Sequence, residues 1–372
     1  MTAARRIRIL IADDSAVMRS LLRSVVGTDP GLEVAGTVAD GAAALDAMAS
    51  LRPDLVLLDV EMPVMDGLAT LKAMRAGGHK MPIVMCSSLT QRGAKVTLDA
   101  LAAGASDYVA KPAGQEDRVA AMRALAHDLI PMIHALASQP QLLAPGSPGI
   151  FQPPPMPVQR PQAAASAPTL LVIGVSTGGP AALDVLLSAL PSSFPLPVLI
   201  VQHMPELFTG ILAERLNGIC PLHVRQAAEG DPVRTGIVYV ARGDWHLEVL
   251  AAARPADPPT LHLTKGPLEH FCRPAVDVLF RSAAAVYGAG VLAVVLTGMG
   301  SDGAIGSRLI REHGGSVLAQ DQATSTVWGM PGAVVQAGLA QRILPLNAIA
   351  PEILRIASRS LAGASEPRES AA

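Results

Sequence analysis

The sequence predicts an α/β protein of two domains, each built on a mostly parallel β-sheet, and three observations support this. Short apolar runs alternate with segments whose apolar residues recur at helical spacing, which is typical of a parallel sheet covered by helices on both faces. The length of 372 residues exceeds the usual size of one core. A stretch dominated by Pro, Ala, Ser and Gln separates two such halves. We therefore predict four segments: a first domain over 1–137, a linker over 138–168, a second domain over 169–358 and a disordered tail over 359–372.

The elements of each half follow from these patterns. The first half has five strand candidates, IRILIAD, EVAGTVAD, LVLLD, IVMCSS and DYVAKP. Helical spacing occupies 15–27, 41–50, 67–76 and 92–104, which predicts a (βα)5 domain. The second half has the strand candidates LLVIGVS, VLIVQH, GIVYVA and VLAVVLTG, which predict a doubly wound, mostly parallel sheet. The run LEVLAAARPADPPTLHLTKG predicts two strands around a Pro-rich turn, as an antiparallel edge.

The composition excludes several classes of function. The net charge of −2 comes from interspersed signs, so no basic surface for nucleic acid is predicted. No apolar run reaches the length of a membrane span. The apolar run Ile7–Ala12 is too short for a secretory signal and ends in two aspartates. Cys86, Cys220 and Cys272 stand singly, which favours reduced thiols over disulfides or a zinc site. We expect a cytoplasmic protein without membrane insertion.

Charged and hydroxyl residues end several strands of the first half. Asp13, Asp14 and Asp59 are placed to meet at one rim of the sheet, where Mg²⁺ would relieve their repulsion. Ser87 and Lys111 reach the same rim and offer a hydroxyl and a cation to a phosphoryl group. An Asp can attack phosphorus. Taken singly, each aspartate is equally well explained as a helix N-cap or a strand end, and Lys111 as a solvated side chain.

This set resembles the receiver domain of bacterial response regulators, a flavodoxin-like fold, over about Ile7 to His134. The acidic pair, the acceptor Asp, the Ser and the Lys-Pro occur in order, together with MPVMDGL after the acceptor. The resemblance implies that a histidine kinase is the phosphodonor for Asp59 and that Ser87, Tyr108 and Lys111 are switch residues. It also implies that Glu61 completes the metal site of Asp13, Asp14 and Asp59 through its carbonyl, and that Lys111–Pro112 is a cis peptide.

The second half opens on VIGVSTGGP, in which Ser176 lies between a strand and a helix. The G-x-S-x-G pattern fits a nucleophile elbow. The same glycines at a helix N-terminus fit a phosphate cradle equally well. This segment contains neither the G-K-[ST] of a P-loop nor the G-x-G-x-x-G of a dinucleotide site. The pattern alone leaves both interpretations open.

The choice depends on partners for the serine, because a hydroxyl needs a base and the base needs an orienting carboxylate. His203 ends the strand PVLIVQH, and Asp302 follows the strand and glycine-rich turn VLAVVLTGMGSDG. Each has a structural alternative, a core histidine and a helix N-cap. Three strands would nevertheless bring Ser176, His203 and Asp302 to one rim, where the turn 298–300 offers N–H groups to an oxyanion.

Four blocks, GVSTGGP, QHMP, RPAVDVLF and TGMGSDGAIG, together resemble the catalytic domain of chemotaxis receptor glutamate methylesterases. The order of receiver, linker and esterase reproduces that family's architecture. The resemblance implies catalytic roles for Ser176, Thr177, His203, Met299 and Asp302. It implies hydrolysis of glutamate methyl esters and deamidation of glutamines on methyl-accepting chemotaxis receptors, without a cofactor for the hydrolysis.

We further expect that the unphosphorylated first domain covers the rim bearing Ser176 and that phosphorylation of Asp59 shifts the population to an open arrangement. We expect a monomer. Two rival functions remain at this stage: a phosphorylation-controlled binding module without hydrolytic activity, and a dinucleotide-dependent oxidoreductase. The intact serine set argues against the first, and the first half, which carries the receiver set and no glycine fingerprint, argues against the second.

Overall fold

The first domain folds around strands that are apolar along most of their length. Its strands are β1 (Ile7–Ala12), β2 (Leu32–Val38), β3 (Leu55–Asp59), β4 (Ile83–Ser87) and β5 (Asp107–Ala110). Its helices are α1 (Ala16–Val26), α2 (Gly41–Leu51), α3 (Gly67–Ala76), α4 (Gln91–Ala102) and α5 (Arg118–Ala137). In this computed structural model, which describes residues 5–112, 118–137 and 167–363, the strands pair in parallel in the order β2-β1-β3-β4-β5. The predicted (βα)5 fold is confirmed.

Local sequence explains where the first four helices begin. The side chains of Ser15, Asp40, Asp66 and Thr90 each accept a backbone N–H from the first turn of the helix that follows. Such caps satisfy donors that a helix leaves unpaired at its N-terminus. Asp13 and Asp14 are therefore free of the capping role that was their structural alternative, because Ser15 caps α1.

The second domain is built on a larger parallel sheet. Its strands are β6 (Leu170–Val175), β7 (Val198–Gln202), β8 (His223–Gln226), β9 (Ile237–Val240), β10 (His246–Leu250), β11 (Thr260–Thr264), β12 (Val291–Val295), β13 (Ser316–Gln320) and β14 (Arg342–Leu344). Its helices are α6 (Gly179–Ser188), α7 (Glu206–Ile219), α8 (Val276–Tyr287), α9 (Ala304–Glu312), α10 (Met330–Gln336) and α11 (Leu346–Gly363), with a short 3₁₀ turn at Gly288–Gly290. Seven strands lie in the order β14-β13-β12-β6-β7-β9-β8, and every neighbouring pair is parallel.

Two features of the second domain differ from the expectation. Strands β10 and β11 pair with each other in antiparallel register, but they form a separate two-stranded sheet and not an edge of the main one. Strands β8, β13 and β14 were not predicted. The polar residues of β8 and the three-residue length of β14 explain why periodicity did not find these two strands.

The segment boundaries lie partly outside what the structure describes. The predicted linker falls almost wholly on 138–166, outside the described residues, as does the tail from 364 onward. Helix α11 continues to Gly363, so 359–363, which we assigned to the tail, belong to this helix. None of the helices in the described part of the chain has the length and apolar character needed to cross a bilayer.

The two domains pack against each other through helices next to the C-terminal rims of their sheets. Helix α4 of the first domain contacts α6 and α7 of the second. The rings of Tyr108 and Phe208 stack across the interface with centroids 4.6 Å apart and planes at 16°. Arg215 on α7 bridges the domains, with Nη1 3.0 Å from Asp99 Oδ1 on α4 and Nη2 2.9 Å from Asp184 Oδ2 on α6. The first domain thus lies over the side of the second domain from which Ser176 projects.

Candidate functional site

Ser176 lies on a tight turn between β6 and α6. Its N–H donates to the carbonyl of Thr297 at 3.0 Å, and its carbonyl accepts the N–H of Gly179 at 2.8 Å. The Gln202 amide also donates to that carbonyl, at 3.0 Å. Gly178 adopts φ +74°, a conformation that other residues rarely adopt, and this lets the chain turn directly into the helix. The backbone on both sides of the serine is therefore fixed, and the partly exposed hydroxyl stands at a helix N-terminus.

His203 and Asp302 form a close pair at the same rim. The strands that precede Ser176, His203 and Asp302 are neighbours in the sheet, in the order β12-β6-β7. His203 Nε2 lies 2.8 Å from Asp302 Oδ2, and the two side chains are 11% and 2% exposed. This contact assigns the proton of the neutral ring to Nε2 and leaves Nδ1 as the nitrogen that can accept a proton.

Besides His203, three backbone N–H groups hold the carboxylate of Asp302. Val276 N donates to Oδ2 at 2.6 Å, while Asp277 N and Gly303 N donate to Oδ1 at 2.8 Å and 2.9 Å. Burial alone would raise the pKa of Asp302, but the hydrogen bonds from His203 and the backbone outweigh burial and lower this pKa. Asp302 therefore stays charged beside the imidazole. The capping role that was its alternative is real but concerns a different helix: Asp302 caps α8, not the helix that begins after Gly303.

A thiol also lies against the imidazole. Burial by itself would lower the pKa of His203, but hydrogen bonds with Asp302 and Cys272, together with their charges, raise it to about 9. We did not single out Cys272 as a site residue from the sequence. No periodic signal brings a loop residue before α8 next to a strand end on β7.

The turn after β12 partly fits an oxyanion site. The N–H of Gly298 donates to the carbonyl of Val327 at 2.9 Å, so the expectation that this group faces an oxyanion is wrong. The N–H groups of Thr177 and Met299 have no acceptor among the described residues. Both residues border Ser176, since a side chain at Gly298 would lie 2.8 Å from Ser176 Cβ.

The acidic residues of the first domain gather as the strand ends predict. Ligand atoms of Asp13, Asp14 and Asp59 all lie within 4.8 Å of one another. Lys111 Nζ lies 2.8 Å from Asp13 Oδ2 and 2.7 Å from Asp59 Oδ1. Burial raises the pKa of Asp59, and this outweighs the opposing effect of Lys111. Glu61 follows on the next turn, where its N–H donates to Asp59 Oδ1 at 3.4 Å.

The predicted switch residues lie between this cluster and the second domain. Ser87 is fully buried, and its hydroxyl accepts that of Thr97 on α4 at 2.7 Å. Tyr108 stacks on Phe208. Within the described ranges the cis peptide bond is Arg273–Pro274, so the cis bond expected at Lys111–Pro112 is wrong. That bond is trans, the lower-energy isomer before proline.

First-domain groups reach the elbow itself. The buried carboxyl of Asp107 is hydrogen-bonded with the side chain of Thr177, and burial raises the pKa of Asp107 to about 6. Val327, which accepts the Gly298 N–H, is buried in the same apolar cluster as Leu125 of α5, and Met299 packs against that cluster. The residues around Ser176 are thus in contact with the first domain. Thr97, Asp107, Phe208 and Arg215 were not among our predicted site residues, because only the packing of the two domains gives them a role.

A parallel (βα)5 domain with an acidic rim, packed on a second α/β domain that presents serine, histidine and aspartate at strand ends, defines a response regulator with a hydrolase-like effector domain. Comparison with known families agrees with this class. The response regulator receiver domain matches residues 9–123, and CheB methylesterase matches residues 171–353. The chain belongs to the protein-glutamate methylesterase/protein-glutamine glutaminase family.

Individual relatives cover nearly the whole chain. A protein-glutamate methylesterase/protein-glutamine glutaminase of a Nocardioides species is 53% identical over 95% of this chain and 96% of its own length. One from Trichodesmium erythraeum is 44% identical over 94% of this chain and 99% of its own. Among solved structures, the Thermotoga maritima CheB methylesterase catalytic domain is 40% identical with a TM-score of 0.49, covering 51% of this chain and 98% of that domain.

Proposed function

We propose that this protein is a phosphorylation-activated serine hydrolase that removes methyl groups from glutamate methyl esters on chemoreceptors and deamidates receptor glutamines. The observation that carries the proposal is the convergence of Ser176, His203 and Asp302 at the ends of three adjacent strands, beneath a receiver domain. The names of its relatives point to the same pair of activities. Both reactions share one chemistry, because methanol and ammonia are alternative leaving groups from the same acyl carbon.

The second domain supplies the groups that we assign to the hydrolysis. His203 Nδ1 takes the proton of the Ser176 hydroxyl as its oxygen attacks the carbonyl carbon of the glutamate side chain. Asp302 stabilises the imidazolium that forms. The N–H groups of Thr177 and Met299 are the donors that we assign to the oxyanion. The imidazolium gives its proton to the leaving oxygen or nitrogen as the carbon–oxygen or carbon–nitrogen bond breaks, so that methanol or ammonia departs. Water then releases the glutamate by the same steps.

The first domain supplies the control. The Asp59 carboxylate attacks the phosphorus of a phosphohistidine on a histidine kinase, and the phosphorus–nitrogen bond breaks to release the kinase imidazole. Lys111 neutralises charge on the phosphoryl oxygens. Asp13, Asp14 and Asp59 fit a Mg²⁺ site, since their ligand atoms cluster within 4.8 Å and carboxylate oxygens are the ligands this ion prefers. With the Glu61 carbonyl, they would hold Mg²⁺, which supplies charge neutralisation for phosphoryl transfer.

The contacts between the domains support gating. Ser87 ends β4, the neighbour of the strand that ends in Asp59. It is bonded to α4 through Thr97, and α4 also holds Arg215 of the second domain. A phosphoryl group on Asp59 that draws in the Ser87 hydroxyl competes with its bond to Thr97. Loosening α4 and Tyr108 weakens the contacts that keep the receiver over Ser176. This function places the protein in the cytoplasm with its kinase.

The test is the release of methanol from methylated receptor membranes. Wild type and Ser176→Ala are each assayed with and without a small phosphodonor and Mg²⁺. We expect release by wild type that rises with phosphodonor and falls at least about 10⁴-fold in Ser176→Ala. If the folded wild-type protein releases no methanol under any of these conditions, the binding-module alternative replaces the enzyme.

A further inference from the structure

Asp277 is a buried carboxylate that the hydrolytic steps do not use. It is the second residue of α8, and its side chain has no solvent exposure. Oδ1 accepts the N–H of Gly306 at 2.6 Å, and Oδ2 lies 2.8 Å from His270 Nε2. A buried carboxylate is costly unless its oxygens are satisfied. The place of these partners in the fold indicates what the residue is for.

Asp277 and Asp302 cap each other's helices. The N-cap residues of α8 and α9 are Ala275 and Gly303, and neither contributes a capping side chain. At α8 the missing acceptor is the carboxylate of Asp302, which binds the N–H groups of the first two helical residues. At α9 it is the carboxylate of Asp277, which binds the N–H of the third. Each helix N-terminus is therefore satisfied by the aspartate associated with the other.

This exchange fixes the segment from which Asp302 projects. Asp302 is separated from α9 only by the N-cap residue Gly303, so the Asp277–Gly306 bond ties the start of that helix to α8. The approach is close, because a side chain at Gly306 would collide with Phe280 and lie 3.2 Å from Asp277 Oδ1. Since Asp302 Oδ2 binds both Val276 N and His203, a shift of α9 relative to α8 would move the oxygen that holds the imidazole.

His270 is the side-chain partner of the second carboxylate. Burial and the nearby charge of Asp302 raise the pKa of Asp277. The His270 ring, 30% exposed, lies 2.8 Å from Asp277 Oδ2 and 3.9 Å from Asp302 Oδ1. Two aspartates are thus each paired with a histidine: Asp302 with His203, and Asp277 with His270.

We propose that Asp277, held by His270, is a positioning residue that fixes the orientation of the Asp302 carboxylate on His203. The inference rests on the proposed hydrolytic function and adds a second carboxylate–imidazole pair to it. Asp277 is not catalytic, because its contacts are with Gly306, His270 and the helix that it begins.

The experiment compares Asp277→Asn, His270→Ala and His270→Gln with wild type in the full-length, phosphodonor-activated protein. The substrate is the γ-methyl ester of a blocked glutamate. Asn keeps an acceptor for Gly306 but removes the charge, so we expect kcat to fall about tenfold with KM within twofold. His270→Ala should act in the same direction. His270→Gln should recover most of the loss, because its amide can donate to Asp277.

The pH profile separates positioning from simple damage. The groups that face His203 and raise its pKa are Asp302 and Cys272, and both are intact in every variant. If Asp302 turns away in Asp277→Asn, the acid limb of kcat/KM shifts to lower pH, because the pKa of His203 falls. The same shift should appear in an NMR titration of the His203 ring in ¹⁵N-histidine-labelled protein, assigned with His203→Gln.

Matched controls decide the remaining outcomes. Glu352→Gln removes a buried carboxylate that is paired with Arg355 on α11 and should leave both kcat and the acid limb unchanged. Wild-type kcat and an unmoved His203 titration in Asp277→Asn would overturn the proposal, as would an equal loss in Glu352→Gln. If Asp277→Asn does not fold, the His270→Ala and His270→Gln pair gives the same decision. Failure of wild type to hydrolyse the ester overturns the proposed function instead, while the NMR titration still tests the positioning.

Discussion

Asp59 and Asp302 lie at equivalent places in two parallel sheets, yet their surroundings act on them in opposite directions. Asp59 is the last residue of β3 and Asp302 lies in the turn after β12, and both side chains are buried. Burial raises the pKa of Asp59, and the like charge of Asp13 adds to this effect. Lys111 and a long hydrogen bond from the Glu61 N–H oppose it, but the pKa stays raised. Asp302 receives His203 and three backbone N–H groups, which lower its pKa in spite of burial.

The difference shows how donors decide the task of a carboxylate. Every oxygen of Asp302 is bound, so this carboxylate stays charged and fixed and can orient a histidine. Asp59 has fewer hydrogen-bond donors and lies in a cluster of carboxylates that fits a cation. Its oxygens therefore remain available to attack phosphorus. The first arrangement suits a residue that does not change during the reaction, and the second suits a residue that is itself modified.

The largest effect is expected from a substitution that removes the charge of Asp302. In Asp302→Asn the amide would donate to His203 Nε2, which forces the ring proton onto Nδ1 and leaves no base for Ser176. We expect kcat to fall about 10⁴-fold, measured as methanol release by the phosphodonor-activated protein. Asp231→Asn is the control, since Asp231 also accepts a backbone N–H and pairs with an arginine of the same domain. A loss below tenfold in Asp302→Asn would show that the carboxylate does not set the tautomer.

The next prediction breaks the Asp59 side. Asp59→Asn removes the phosphoryl acceptor, so the ratio of activity with phosphodonor to activity without it should fall to one. Asp54→Asn is the matched control, because Asp54 precedes the same strand at its opposite end and binds Arg5 and the Arg8 N–H. It should keep the wild-type ratio. Stimulation that persists in Asp59→Asn would place the acceptor elsewhere.

The sequence predicted the main features of both rims because each residue type stands at the end of a buried strand. Asp13, Asp59, Ser176 and His203 follow runs of apolar residues, and parallel strands bring such ends together. Asp277 and Cys272 were not predicted, since their roles depend on how α8 approaches the sheet. Nothing periodic signals that approach. A buried Asp at the start of an otherwise apolar helix, as in AVDVLF, was the one available hint.

A third prediction sharpens the comparison through pH. His203 acts unprotonated, and its pKa is raised to about 9, so kcat/KM should rise with pH through this value and be limited by protonation below it. Cys272 contributes to the raised pKa. Cys272→Ala should therefore shift the acid limb to lower pH and raise kcat/KM at pH 7 by about two- to tenfold. The profile is measured with a small methyl ester.

The control for this prediction is a second cysteine. Cys220→Ala removes a buried thiol that contacts Leu187 on α6 and should leave the acid limb in place. An unmoved limb in Cys272→Ala, or an equal shift in Cys220→Ala, would contradict a direct effect of Cys272 on the imidazole.

The smallest expected effect concerns the contact that joins the two rims. Arg215 is 24% exposed and bridges Asp99 of the receiver and Asp184 of α6. Partly exposed ion pairs of this kind contribute roughly 0.5–1 kcal/mol. Arg215→Met, which keeps the apolar stem, should therefore raise the activity of the unphosphorylated protein toward receptor membranes about two- to fivefold. Phosphodonor-activated protein should change less, because its receiver has already moved away from the rim.

The control is Arg5→Met, which breaks an ion pair with Asp54 outside the interface and should change neither activity. If Arg215→Met left the unphosphorylated activity at the wild-type level, the closed arrangement would depend on the Tyr108–Phe208 stack and the apolar contacts of Met299, not on charge.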